Sequence, residues 1–256
     1  MLKNEIAVIT GAASGIGRAV AQKLVEEGAC LLLLDRDREK LQKATSELQN
    51  QGGIVACMTT DVVSFQQLQK AADYAISLYG RIDIWCNCAG VSTMGHIWEL
   101  SEDEWDFNMD INAKGVFLCV KAAAAKMMQQ HYGRIINIAS VASLQCDPLL
   151  AHYCASKWAV LGFSKTAAYE LAKFGITVNC VCPGTVSTDM QTREMHWSAS
   201  LQGITPQQVY QNWVDGTPVG RLTTASDVAN AVAFLARREN PMITGIALPV
   251  TGGAEL

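Results

Sequence analysis

Along this chain, short unbroken apolar runs alternate with longer stretches in which apolar residues recur every three or four positions, the marks of buried strands and amphipathic helices. Residues 5–9 form the first apolar run. It ends at Thr10-Gly11-Ala12-Ala13-Ser14-Gly15-Ile16-Gly17, after which Ile16, Val20 and Leu24 mark one helical face as far as Gly28. Residues 30–34 predict a second strand closed by Asp35, residues 39–50 a polar, exposed helix, and residues 54–58 a third strand. A turn at Asp61-Val62 leads to a helix over about 64–79, and residues 82–86 predict a fourth strand running into Asn87-Cys88-Ala89-Gly90. Ser101-Glu102-Asp103-Glu104 is a capping-box sequence that starts a long helix carrying Asn112 and reaching about residue 130.

Residues 134–139 predict a fifth strand ending at Ser140, and a loop with Pro148 precedes a helix that bears Tyr153 and Lys157 and runs to about residue 174. Residues 176–182 predict a sixth strand, stopped by Pro183-Gly184. Residues 185–215 break the rhythm: long, partly polar and holding Met190, Met195, Trp197 and Trp213, they suggest a short-helical lid. Thr224 is placed to cap a helix bearing Val228, Ala231, Val232 and Leu235, and residues 245–250 predict a last strand before Thr251-Gly252-Gly253. The alternation predicts an α/β fold on a parallel sheet. With no linker, repeat or low-complexity tract, the expectation is one domain over 1–256, with the lid at about 185–215.

Composition narrows the partners. The chain has 256 residues, is 50% hydrophobic and carries a net charge of −4, so a nucleic acid held on a broad basic surface is not expected. Bound phosphates would need local backbone donors instead. Its 9 cysteines, several in apolar segments, read as reduced thiols of a cytoplasmic protein, and the Cys86/Cys88 and Cys180/Cys182 pairs lack the spacing and histidines of a metal site. The chain starts directly into a strand, and its richest apolar stretch, residues 115–128, is broken by Lys121 and Lys126, so no membrane span is expected.

Two constellations carry chemistry. Gly11, Gly15 and Gly17 follow a strand and open a helix, where a tight turn and a helix N-terminus can receive a pyrophosphate. The spacing G-x-x-x-G-x-G departs from the G-x-G-x-x-G dinucleotide pattern, but Asp35 ends the next strand 18 residues after Gly17, close to the distance expected of a ribose-binding acid. A carboxylate there accepts from the 2′-hydroxyl of NAD and repels the 2′-phosphate of NADP, whereas the following Arg36 could receive that phosphate; the expected cofactor is NAD. Tyr153 and Lys157 are four apart and share a helical face. A phenol of pKa about 10 is too weak an acid to trade protons near neutrality, and an ammonium roughly 4 Å away would lower it by about three units at an effective dielectric of about 20. Taken alone, the pair reads first as a solvated helix surface with no chemistry.

Together with Asn87-Cys88-Ala89-Gly90, Asn112, Ser140, Pro183-Gly184 and Gly252-Gly253, these motifs make the chain resemble the short-chain dehydrogenase/reductase family over essentially its whole length. The family's usual Asn-Asn-Ala-Gly has Cys88 in place of its second Asn. The resemblance implies a Rossmann-like three-layer sandwich with a seven-stranded parallel sheet and three helices on each face. It implies a catalytic tetrad of Asn112, Ser140, Tyr153 and Lys157, with Tyr153 exchanging the substrate's proton and Lys157 lowering its pKa and touching the nicotinamide ribose. Asn112 resembles the position whose backbone holds a water leading from Lys157 to solvent. The implied cofactor contacts are Gly11, Ser14, Gly15, Ile16, Gly17, Asp35, Asp61, Val62, Asn87, Ala89, Gly90, Tyr153, Lys157, Pro183, Gly184, Val186 and Thr188.

The lid is similar to those of polyol and small-diol dehydrogenases of the sorbitol and butanediol types, and Ser140, Gln145, Tyr153, His96 and Gln191 are the candidate substrate contacts. The expected reaction moves hydride between a secondary alcohol and its ketone. Within the family the rival is a 3-oxoacyl-thioester reductase; outside it, a non-catalytic NAD-binding sensor or structural protein. By resemblance the chain is expected to form a homotetramer through the long helices of Asn112 and Tyr153 and through its last helix and strand.

Overall fold

The apolar runs lie side by side. In the computed structural model, which describes residues 1–254, they form β1 (Ile6–Thr10), β2 (Cys30–Asp35), β3 (Val55–Thr59), β4 (Ile84–Asn87), β5 (Gly133–Ile138), β6 (Ile176–Pro183) and β7 (Ala247–Val250). All pairings are parallel and the order across the sheet is β3-β2-β1-β4-β5-β6-β7. The runs are unbroken because both faces are covered: Ala7, Ile9, Leu31 and Leu33 enter one core, and Val8, Leu32 and Leu34 the other.

Between the strands run α1 (Gly15–Glu26), α2 (Arg38–Asn50), α3 (Phe65–Tyr79), α4 (Glu102–Asn108), α5 (Gly115–Gln130), α6 (Ala151–Leu171), α7 (Asp189–Gln202), α8 (Pro206–Asp215) and α9 (Ala225–Ala236). Helices α1, α2 and α9 cover one face of the sheet and α3, α5 and α6 the other. Helices α7 and α8 pack on each other between β6 and α9 in the chain. No helix among the described residues is long and apolar enough to cross a membrane.

Two elements differ from expectation. Helix α2 is not simply exposed: it buries Leu41, Ala44, Thr45 and Leu48, a stripe at helical spacing that its polar average composition hides. The long helix that starts at the Ser101–Glu104 capping box is interrupted by a π-helical turn, Met109–Lys114, between α4 and α5. A π turn widens the ring to i→i+5 and is a frequent mark of functional sites. Hydrophobic period alone cannot reveal it.

The chain builds outward from β1 to β3, then returns to place β4 on the other side of β1. Beyond the carboxyl ends of β1 and β4 the connections diverge and leave a crevice. A buried relay fixes the strands beside it: Trp85 Nε1 donates to Asn87 Oδ1, Asn87 Nδ2 to Asn137 Oδ1, and Asn137 Nδ2 to Ser164 Oγ, at 2.9, 2.7 and 2.7 Å.

Candidate active site

The crevice is a cleft of about 450 Å³ running from Asp35 past the glycine turn to Tyr153 and α7. Its floor depends on backbone approach. Thr10 Oγ1 accepts from the amides of Cys88 and Ala89 at 3.1 and 3.2 Å, drawing the end of β4 against the first turn. Gly11 sits at φ +65°, and a Cβ on it would lie 2.8 Å from the Cα of Ala89. A Cβ on Gly17 would lie 2.2 Å from the Gly11 carbonyl oxygen, so the third glycine lets α1 start against the turn.

Ser14 stands at the N-cap of α1 without a side-chain cap, and no acid occupies the first turn. The orphan amides and positive end of the helix dipole are therefore left to the cleft, which is what a pyrophosphate requires. Asp35 accepts from the Ala13 amide at 3.1 Å through Oδ2 and from the Asp37 amide at 3.0 Å through Oδ1. Each oxygen keeps a free lone pair for a ribose hydroxyl. The donor set and the glycine cradle fit a dinucleotide.

The catalytic candidates come from three directions. Ser140 follows β5 and its Oγ accepts from the Ala142 amide at 3.1 Å, which fixes the side chain beside the cleft. Tyr153 and Lys157 project from the first turns of α6 into the same cleft. Lys157 is buried, its Nζ donates to the Ile138 carbonyl at 3.0 Å, and the same Nζ lies 5.5 Å from the centroid of the Tyr153 ring. Asn112, fully buried in the π turn, is a brace: Oδ1 accepts from the Val91 amide at 2.8 Å, and Nδ2 donates to the Val91 carbonyl and Ser156 Oγ at 2.9 and 3.0 Å. It holds the chain after β4 against α6.

The electrostatics correct one expectation. In the ligand-free chain the Tyr153 phenol is raised rather than depressed. Burial pushes that phenol well above its ordinary value, the charge of Glu194 adds to the shift, and the Ser140 hydroxyl beside it pulls back. Lys157 is itself lowered to about 8 by burial. With Nζ fixed on the Ile138 carbonyl and ringed by Cys88, Cys180 and Cys182, it lacks the exposed, fully charged geometry that a helix-surface pair suggests. Burial drives Cys88 and Cys180 to about 12, so these thiols stay protonated and inert.

Ser14, Ile16, Asp61, Val62, Ala89, Gly90, Pro183, Gly184, Val186, Thr188 and Gln191 all line the cleft with the residues above. Asn87, Asn112, His96 and Gln145 do not. Asn87 is spent on the buried relay, and His96 stacks on the exposed Trp98 with ring centroids 4.6 Å apart. Sequence reasoning missed Asp147 and Glu194, which line the cleft close enough to Tyr153 to raise its phenol. Neither belongs to a motif. Glu194 carries a weak signal, in that Met190, Gln191 and Glu194 recur at helical spacing on α7. Among the described residues, no cluster of His, Cys, Asp or Glu could hold a metal.

The family model described as short chain dehydrogenase matches residues 5–199. The chain is 35% identical over 255 residues to the (2S)-[(R)-hydroxy(phenyl)methyl]succinyl-CoA dehydrogenase subunit BbsD of Thauera aromatica, covering 100% of this chain and 98% of that one. It superposes on an actinorhodin polyketide ketoreductase solved with NADPH at a TM-score of 0.95, with 34% identity and coverage of 98% and 97%. An NAD+-bound xylitol dehydrogenase gives a TM-score of 0.95, with 32% identity over 98% of this chain and 99% of that one.

Proposed function

The chain belongs to the short-chain dehydrogenase family and is an oxidoreductase acting on CH–OH and ketone groups, and from that membership we propose that it is NAD(H)-dependent and acts on a secondary alcohol of the polyol, sugar-alcohol or small vicinal-diol kind. The observation that carries this reading is the convergence of Ser140, Tyr153 and Lys157 on one cleft that also contains the glycine turn and Asp35. The bound nicotinamide supplies the hydride acceptor in oxidation and the donor in reduction. Ser140 holds the substrate oxygen, and Tyr153 takes its proton in oxidation and returns it in reduction. Lys157 fixes the ribose and, through the π turn braced by Asn112, connects to solvent. Gln191 is a substrate contact, and α7 with α8 is the lid.

Asp35 supports NAD over NADP. Among the described residues that line the cleft beside it, Lys40 is paired with Asp37 at 3.2 Å and Arg36 is the cation without an ion pair. Titration should show NAD+ binding more tightly than NADP+, and Asp35→Ser should shift that ratio toward NADP+ by about 10²-fold, since a like-charge contact costs several kcal/mol. Tighter NADP+ binding by the native chain would reverse the assignment. A 3-oxoacyl-thioester reductase is the poorer reading, because Asp147 and Glu194 add negative charge where a phosphate-bearing carrier would enter.

The free cysteines suit a cytoplasmic setting. Phe117 on α5 and Trp158 and Tyr169 on α6 are exposed, as expected of helices that pack against copies of themselves in a homotetramer. Sedimentation equilibrium reads this directly, and a monomer at micromolar concentration would exclude it.

A further inference from the structure

We propose that His152, next to Tyr153 in the chain, is a positioning residue: through Thr93 and Asn108 it fixes the first turn of α6, and with it Tyr153, against the chain that follows β4. The inference rests on the reading that Tyr153 serves a secondary alcohol, and adds what holds that residue in place.

The need for a tie lies in the helix itself. Helix α6 has Leu150 at its N-cap, with no side-chain capping bond, and no acid in its first turn. Helices α4, α7, α8 and α9 are instead capped by Ser101, Thr188, Thr205 and Thr224. The second turn of α6 has its own anchors, since Lys157 Nζ donates to the Ile138 carbonyl and Asn112 Nδ2 to Ser156 Oγ. Tyr153 lies one turn earlier, in the part of a helix that frays most readily. Precision matters there, because misplacing a reacting group by about 1 Å can cost about 10²-fold in rate.

His152 provides the tie. Its ring is fully buried, and Nε2 lies 2.5 Å from Thr93 Oγ1. Asn108, also fully buried, donates from Nδ2 to the same hydroxyl at 3.0 Å and to the Glu104 carbonyl of α4 at 3.0 Å. Having accepted from Asn108, the Thr93 hydroxyl can turn its own proton to Nε2, so the ring accepts as a neutral imidazole. Burial favours that neutral form, against the charge of Glu104 on α4. The chain after β4 is thereby held at two points, Val91 by Asn112 and Thr93 by His152 and Asn108, and Val91 lines the cleft with Tyr153. The other ring nitrogen, Nδ1, is enclosed without a partner. A buried histidine with one nitrogen unpaired is a poor choice for packing alone, where leucine would fill the space, and such exceptions mark a role other than stability.

The test compares His152→Leu with His152→Gln, which keeps a polar group able to reach Thr93, and Thr93→Val with Thr93→Ser. Each variant is read by hydrogen exchange over residues 150–157 of the ligand-free chain, where the Cys154 amide bonds the Leu150 carbonyl at 2.7 Å. Each is also read by kcat with NAD+ and 2,3-butanediol or sorbitol, normalised to NADH-binding sites so that unfolded molecules do not count. His152→Leu and Thr93→Val should speed exchange of that segment about tenfold, leave β1 and β2 protected, and lower kcat by about 10- to 10²-fold at unchanged NADH affinity. His152→Gln and Thr93→Ser should restore most of both losses. The double variant His152→Leu/Thr93→Val should lose no more than either alone, since the two residues share one bond. Native exchange over 150–157 in both apolar variants overturns the proposal, as does native kcat in His152→Leu. If the native enzyme forms no NADH from either alcohol, the secondary-alcohol reading fails on its own; faster exchange then still upholds the tie, and unchanged exchange removes it.

Discussion

Tyr153→Phe lowers kcat/KM for alcohol oxidation by about 10²–10⁴-fold, the range expected when a positioned acid/base is removed, and leaves NADH binding measurable. The change deletes one oxygen from a residue whose ring packs in place, so the fold is retained. The pH profile separates chemistry from packing. Oxidation needs the phenolate, and burial together with Glu194 holds the phenol up, so it is protonated at neutrality in the free chain. For the native enzyme, oxidation should rise with pH until the phenol ionises in the cofactor complex. The Phe variant should lose that rise, and a variant with the native profile would remove Tyr153 from the proton transfer.

Lys157→Met has two effects of opposite sign. Activity should fall by about 10²-fold or more, because the group proposed to position the reacting ribose is gone. Stability of the ligand-free chain rises. Burial lowers Lys157 from 10.5 to about 8, so the native state binds fewer protons than the unfolded state between those values, and stability increases with pH across that window. Below about 8 the buried charge costs about 3 kcal/mol, and methionine removes that cost. The variant should therefore melt several degrees higher at pH about 7. Its advantage should fade from pH about 8 to 10.5 as the native lysine neutralises. The buried thiols ionise over the same region only in the unfolded state, a contribution common to both proteins that cancels in the difference. A variant no more stable than the native chain at pH about 7 would mean that relief of the buried charge does not outweigh loss of the bond to the Ile138 carbonyl.

The parts of the candidate site written into short stretches of chain can be read before the fold. Gly11, Gly15 and Gly17 act within one turn, Asp35 closes the next strand, and Tyr153 and Lys157 share one helical face, so local spacing carries each of them. The alternation of apolar runs with helical stripes likewise foretold the sheet, because strands buried on both faces have little polar interruption. What escaped was whatever depends on distant contacts. The π turn carries Asn112, whose side chain is clamped to Val91 and Ser156, and the hydrophobic period encodes neither. Asp147 and Glu194 come to line one cleft only when the loop after β5 and helix α7 fold over it. The raised phenol of Tyr153 in the ligand-free chain escaped for the same reason, since a lysine four residues away is visible in the chain and burial is not.

The central claim is that the cleft transfers hydride to NAD+ from the carbinol carbon of a secondary alcohol while Tyr153 takes the hydroxyl proton. Absorbance of the reduced nicotinamide, followed with secondary alcohols of graded charge and with their carbinol-deuterated forms, tests it most directly. NADH should form, more slowly from the deuterated alcohol, and the signal should collapse in the Tyr153→Phe enzyme. Tight NAD+ binding with no reduced nicotinamide from any of these alcohols would instead mark a cofactor-binding protein without turnover and contradict the account.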